Sequence, residues 1–503
     1  MNGSPIRTIA TFLAAGSLAL AQVAVDTDFA YRIVNKNSGL ALSIDGDSTT
    51  AGAPVVQGED GGTSGYWLLM PAGEGQYKIL NTLSRELLGI TNASTAPATP
   101  AVQWADNGTA DHLWQITDVG GGYVKLSSVN SGLVLGIGGS SQTPGAAAVQ
   151  SADDGDATEL WQLDAAGAAY PPPVRVLGDT GVHDPSMVRT GDGTYYLFGT
   201  HDGILMSSSP DRVHFTSAGQ AFASIPDWTV AYSPARDLWA PDISWHDGQY
   251  WLYYAASGFG GNVSAIGLAT SATATPGSFI DEGMVIASDT ASPYNAIDPG
   301  LIVDSSGNWW LVFGSWWDGI NLIQLDPSTG KQASWNRTMY LLAQRPADPA
   351  IEGSYVYLHD NYYYLFASFD QCCDGINSTY HIAVGRSGSV TGPYYDRGGI
   401  AMTLGGGTII LSSHGQFVGP GGQVMMHDND GDLLIYHYYD ADSNGAPMLG
   451  ISRVGWDAGG WPYPCEYSLG RGWPGITHGS AACAPSRESR NRSADDRVRS
   501  QYR

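Results

Sequence analysis

The chain has 503 residues, too many for one ordinary domain and enough for two or three. Lys and Arg number 23 against 48 Asp and Glu, a formal net charge of −25; this excludes a nucleic-acid partner, which needs clustered basic residues, and disfavours a polyanionic substrate, but not a neutral one. Only 14 % of residues are charged, 66 are Gly, 16 Trp and 27 Tyr, a composition that opposes disorder and suits short strands joined by tight turns, so the predicted fold class is all-β.

Residues 1–21 read as a secretory signal peptide. Arg7 supplies the positive start, residues 9–20 the apolar run, and Ala19-Leu20-Ala21 the small-residue cleavage pattern, with cleavage expected before Gln22. A membrane anchor needs ~20 apolar residues, about twice this run, and no later segment is apolar enough to span a bilayer. The expected location is extracellular.

A repeat follows. Tyr31-Arg32-Ile33 recurs as Tyr77-Lys78-Ile79 and Tyr123-Val124-Lys125, in steps of 46, while Trp67 recurs as Trp114 and Trp161, in steps of 47. Each unit of four short strands is too small to bury a core alone, and three closing on a pseudo-threefold axis bury one. This resembles the ricin-B-type β-trefoil, a carbohydrate-binding module, over residues 29–167. Sugar-binding members usually carry an aspartate in a Leu-Asp-aliphatic context. The matching triplets here are Leu42-Ser43-Ile44, Leu88-Gly89-Ile90 and Leu135-Gly136-Ile137, so only weak sugar binding is expected, with Gln57, Gln103 and Gln150 as the retained polar side chains. Removing such a module is expected to leave the action of the rest of the chain on a soluble ligand almost unchanged.

Residues 168–174, with Pro171-Pro172-Pro173, read as a short stiff linker. A longer repeat then occupies residues 175–480. An Asp/Gly turn leads an aromatic–aliphatic strand in Asp192-Gly193-Thr194-Tyr195-Tyr196-Leu197-Phe198, and the pattern returns around Leu252, Leu311, Leu365 and Ile435, at spacings of 55, 59, 54 and 70. Five such units predict a five-bladed β-propeller, whose closure removes exposed sheet edges.

Thirteen residues before each marker stand Asp184, Trp239, Asp298, Glu352 and Gly422. Each position directly precedes the strand expected to be innermost in its blade, so three carboxylates from three blades should meet at the axis. Grouped acids in a partly dry pocket cannot all ionise independently, which makes acid and base roles available at one pH. Hydrolysis of a glycosidic bond needs that pair.

These residues sit in His183-Asp184-Pro185-Ser186, Leu238-Trp239-Ala240-Pro241-Asp242, Asn295-Ala296-Ile297-Asp298-Pro299, Gly314-Ser315-Trp316-Trp317, Glu352-Gly353-Ser354 and Gly419-Pro420-Gly421-Gly422-Gln423. The set resembles glycoside hydrolase family 43, and within it the arabinanases. The resemblance implies an inverting enzyme on α-1,5-linked arabinan with Asp184 as general base, Glu352 as general acid and Asp298 orienting Glu352 and tuning its pKa. It implies a separation of ~6.5–9.5 Å between base and acid, room for a water. Trp239, Asn295, Phe313, Trp316 and Trp317 are the expected substrate contacts. It also implies a calcium ion on the axis, held by a histidine and waters; one version of the family has that histidine at the place of Gly422, and His414 is the candidate here. No organic cofactor is expected, and the chain is expected to act as a monomer. The rival activities are an exo-acting α-L-arabinofuranosidase, a β-xylosidase, or a non-catalytic arabinan-binding protein.

Secretion makes Cys372, Cys373, Cys465 and Cys483 candidates for disulfides. A bridge between the adjacent pair is expected to stiffen a loop tip; two crossed bridges and free thiols are the alternatives. Residues 484–503, rich in arginine, read as a disordered basic tail.

Overall fold

A computed structural model describes residues 25–59 and 62–465. The expected signal peptide, residues 466–480 of the predicted propeller and the basic tail lie outside the described residues. Among those described there is no α-helix, only strands and short 3₁₀ turns.

Twelve strands, from Phe29–Asn35 to Trp161–Ala168, form the first sheet system as three units of four. Trp67, Trp114 and Trp161 are fully buried at its centre. Their indole N–H groups donate to the carbonyls of Leu42, Leu88 and Leu135 at 2.9, 3.0 and 2.9 Å, so each tryptophan ties the fourth strand of its unit to the second. The three retained glutamines have an equally regular task. Gln57 donates to the carbonyls of Ser141 and Thr143, Gln103 to those of Ser48 and Thr50, and Gln150 to those of Ser94 and Ala96. Each clamps a turn of another unit, which closes the pseudo-threefold ring and assigns these side chains to structure.

Beyond residue 176 the sheets are the five blades of the propeller. Their first strands are Ser186–Arg189, Leu238–His246, Gly300–Val303, Ile351–His359 and Phe417–Asp428. These touch one another in sequence, and the fifth returns to the first, so they form the innermost ring. The aromatic marker strands are the second of each blade, and their Leu197, Leu252, Leu311, Leu365 and Ile435 are all buried. The segment entering blade 1 closes the circle. Val174 N–H donates to Ile451 O in blade 5, Gly181 bridges Met448 there, and Leu177–Gly178 pairs in parallel with His214–Gln220 in blade 1.

Residues 168–174 are not a free tether. Ala169 and Tyr170 are buried in a single apolar cluster that takes Ala30, Leu68, Met70, Leu80 and Leu87 from the first region and Tyr364, Phe366, Ile382, Val384 and Tyr436 from blades 4 and 5. The trefoil and the propeller share a core, which sequence periodicity within either one could not reveal.

Candidate active site

Asp184 and Asp298 each lie two residues ahead of the inner strands of blades 1 and 3, and Glu352 is the second residue of the inner strand of blade 4. As the register predicts, all three open on one cleft of about 790 Å³, lined from all five blades. Asp184 (φ 48°) and Asp298 (φ 57°) adopt left-handed backbone, although the residue before a proline favours extended conformations. The turn aims both carboxylates inward.

Asp184 and Glu352 are held in opposite ways. Asp184 Oδ2 accepts from Thr200 Oγ1 at 2.6 Å and from His183 Nδ1 at 2.9 Å, and the Asp184 amide donates to His437 Nδ1 at 3.1 Å. Burial opposes ionisation of this carboxyl, but the charge and hydrogen bond of His183 and the Thr200 hydroxyl outweigh it and hold it below the usual carboxylate range. Glu352 accepts from the Tyr380 hydroxyl at Oε1 and from Ser315 Oγ at Oε2, 2.7 Å. Its burial outweighs these two bonds, and with Asp184 nearby its pKa is raised. Asp298 is raised well above its ordinary value by burial and by the charges of Glu352 and Asp184, against one bond from the Gly353 amide at 2.8 Å. That amide belongs to the residue after Glu352, so Asp298 fixes the backbone carrying the acid. Gln423 donates to the Gly353 carbonyl from the other side at 2.6 Å. The cleft thus biases Asp184 toward its ionised form and Glu352 and Asp298 toward their protonated forms.

Trp239, Trp316 and Trp317 line the cleft, as expected; Asp237 fixes the Trp239 indole at 3.0 Å, and Trp317 is 42 % exposed. Asn295 also lines it, but its side chain bonds Ser264 Oγ and the Gly261 carbonyl, so it anchors the neighbouring glycine-rich loop. Phe313 does not reach the cleft. It closes its strand facing the core between blades 2 and 3 and is fully buried, because left-handed turns at Trp316 and Trp317 carry those rings, not Phe313, to the mouth. Sequence reasoning missed Thr200, Ser315, Tyr380, His437 and Tyr439. It also missed Phe259, whose ring is 85 % exposed on the cleft rim; an aromatic inside Gly258-Phe259-Gly260-Gly261 was its one signal.

Cys372 and Cys373 form the vicinal disulfide and wall the cleft. Cys465 is also disulfide-bonded, and Cys483 lies outside the described residues. The Cys373 amide donates to the Tyr439 oxygen at 2.8 Å, and that hydroxyl reaches His183 Nε2 at 2.9 Å. His183 therefore connects the cysteine loop to Asp184.

The histidine expected to hold calcium is elsewhere. His414 is buried between the rings of Tyr170 and Phe417, with Nδ1 on the Ser412 carbonyl at 2.7 Å, and does not line the cleft. At Gly422 a Cβ would come within 2.7 Å of Asp184 Oδ1 and 2.8 Å of the His437 ring, so His437 fills the space a side chain there would need. Nδ1 of His437 accepts the Asp184 amide, which leaves Nε2, buried without a protein partner, as the protonated nitrogen. Calcium seeks six to eight oxygens. Asp184, His183 and His437 converge within ligand distance of one another but offer carboxylate oxygen from Asp184 alone, so an ion here would take its other oxygens from water.

Comparison with known proteins agrees with this geometry. The chain is 45 % identical over 288 residues to the extracellular endo-α-(1→5)-L-arabinanase 1 of Bacillus subtilis, covering 56 % of this chain and 87 % of that protein. It is 40 % identical over 304 residues to the extracellular exo-α-(1→5)-L-arabinofuranosidase ArbA of Cellvibrio japonicus, covering 57 % and 87 %. Among solved structures, a GH43 endo-arabinanase from Bacillus licheniformis matches with TM-score 0.55 at 44 % identity, covering 57 % of this chain and 99 % of that one. The Cellvibrio cellulosa α-L-arabinanase complexed with arabinohexaose matches with TM-score 0.54 at 38 % identity, covering 57 % and 96 %. The model of the ricin-type β-trefoil lectin domain-like family matches residues 22–104, 63–151 and 110–210, three staggered windows as a threefold repeat requires. Residues 175–462, more than half of the chain and the span of all five blades, match the model of glycosyl hydrolases family 43, and to that family the chain belongs.

Proposed function

We propose that the protein is an extracellular, inverting hydrolase of α-1,5-linked L-arabinan, acting within the chain. The observation that carries this reading is the opposite bias on two carboxyls of one cleft, Asp184 pushed toward its ionised form and Glu352 toward its protonated form. Asp184 Oδ2 is occupied by Thr200 and His183, which leaves Oδ1 to take a proton from water. The water oxygen bonds to the anomeric carbon from one face while the glycosidic bond breaks on the other, and the Glu352 proton goes to the departing oxygen. Both electron pairs are accounted for, and the product has the opposite anomeric configuration. Asp298 holds Glu352 in place through the Gly353 amide. Trp239, Trp316, Trp317 and Phe259 offer faces for furanose rings.

Relatives named both endo- and exo-acting support the linkage more than the mode of attack. Digestion of linear arabinan tests the mode: a ladder of oligosaccharides supports endo action, and one small product from the first minutes replaces it with exo action. Proton NMR of the nascent product should show the inverted anomer. Glu352→Gln should lower turnover of arabinan by orders of magnitude and that of an aryl arabino-oligosaccharide less, since a good leaving group needs little protonation. Asp184→Asn should impair both, with azide restoring turnover by attacking without a base. Purified protein that binds arabinan but releases no reducing ends would overturn the enzyme reading.

A further inference from the structure

We propose that the second unit of the trefoil is part of the catalytic architecture, with Lys78 and Asp106 as positioning residues that fix both feet of the loop facing the general acid. This rests on Glu352 being that acid. Lys78 Nζ lies 2.6 Å from Asp106 and 2.6 Å from Asp370. Arg345 joins the same two carboxylates at 3.0 and 2.8 Å, and His381 Nε2 lies 3.2 Å from Asp106. All five side chains are buried. Lys78 and Asp106 come from the trefoil, the other three from blade 4 and the segment leading into it. Asp106, Asp370 and His381 converge as metal ligands would, but the Lys78 ammonium stands among them. Each region brings one cation and one carboxylate, and the pairs Lys78–Asp370 and Arg345–Asp106 tie the two halves into one cluster.

The position of the cluster gives it a catalytic consequence. Asp370 and His381 flank residues 371–380, the loop that carries the vicinal disulfide and ends in Tyr380, whose hydroxyl bonds Glu352. His381 pairs with Phe369, the residue before Asp370, so the two feet are adjacent in the sheet. The Arg345 guanidinium and the Asp370 amide also both donate to the Ala350 carbonyl, at 3.0 Å each, two residues before Glu352. Acid, hydroxyl partner and disulfide wall therefore share one anchor, and half of it is trefoil. A displacement of about 1 Å in a catalytic group can lower a rate by as much as ~10²-fold.

The test uses the full-length protein, with kcat and KM measured on linear arabinan and on a 2,4-dinitrophenyl α-1,5-arabinotrioside. Lys78→Met should lower kcat on arabinan by tenfold or more and on the aryl substrate by less than twofold, with both KM values within twofold. A role in folding alone lowers both substrates in proportion to the folded fraction, and that outcome overturns the proposal. Should Lys78→Met not fold, Lys78→Met/Asp106→Asn restores one buried cation to one carboxylate while still releasing the loop; the same split is expected, and a wild-type ratio there overturns the proposal. Glu352→Gln run alongside separates the two readings. If it shows no leaving-group split, or the parent protein leaves arabinan intact, the assignment of the acid has failed and this inference falls with it.

Discussion

Replacing Tyr380 with phenylalanine removes the hydroxyl that donates to Glu352 Oε1 and keeps the ring that packs beside His437. A hydrogen bond to a charged acceptor contributes about 1.5–3 kcal/mol. Glu352 is half-buried and meets cleft water, so the lower end applies, and at 1.36 kcal/mol per pKa unit the change is about one unit. The bond favours the ionised carboxylate, and losing it raises a pKa that burial has already raised. Glu352 works protonated, so the active form persists to higher pH and the alkaline limb of kcat/KM on arabinan moves up by about one unit. Glu352 and Asp298 interact strongly, so the limb belongs to the pair and is read as one apparent value. The plateau falls about tenfold, because Ser315 alone now orients the acid. Reducing-end release measured across a pH series gives both quantities. An unmoved limb, or one that moves down, would refute the account of how this carboxyl is tuned.

Phe313→Ala should destabilise the fold by about 3–5 kcal/mol, read as a fall in Tm, because it empties a fully buried site; Trp317→Ala, from an exposed ring, should leave Tm nearly unchanged and raise KM for arabinan about tenfold, as loss of ~1.4 kcal/mol of stacking implies. His414→Gln should lower Tm through lost packing between Tyr170 and Phe417 and leave kcat within twofold; a selective loss of turnover would return that histidine to the site. Gln103→Ala removes two buried bonds between trefoil units and should cost about 1–3 kcal/mol in urea unfolding; no change would mean that the ring is closed by packing alone.

The repeat register brought Asp184, Asp298 and Glu352 to one place because a propeller converts equal positions in successive blades into neighbours at the axis. Residues that reach the cleft by other routes carry no such signal. Tyr380 enters from the end of a loop, Thr200 from the turn after a second strand, and His437 from the middle of one. Phe313 differs for the opposite reason: it ends a buried marker strand and packs in the blade, the alternative role open to any aromatic of that strand. The shared core had the weakest trace of all. Lys78 and Asp370 are 292 positions apart, and each looks like an ordinary surface charge until the two regions meet. Removal of the trefoil, harmless on sequence grounds, would expose Tyr364, Phe366 and Ile382 and take Asp106 from Arg345 and Lys78 from Asp370.

The left-handed backbone at Asp184 and Asp298 sets a limit on how this scaffold can be improved. A non-glycine residue in that conformation costs of order 1–3 kcal/mol, and here each also precedes a proline. Glycine at either position would relax the chain and delete a carboxyl that the reaction depends on in the same step. Heat-resistance selection on its own would therefore favour dead variants. A screen that scores only surviving folded protein would drift toward them, so directed evolution of this enzyme has to read turnover in every round.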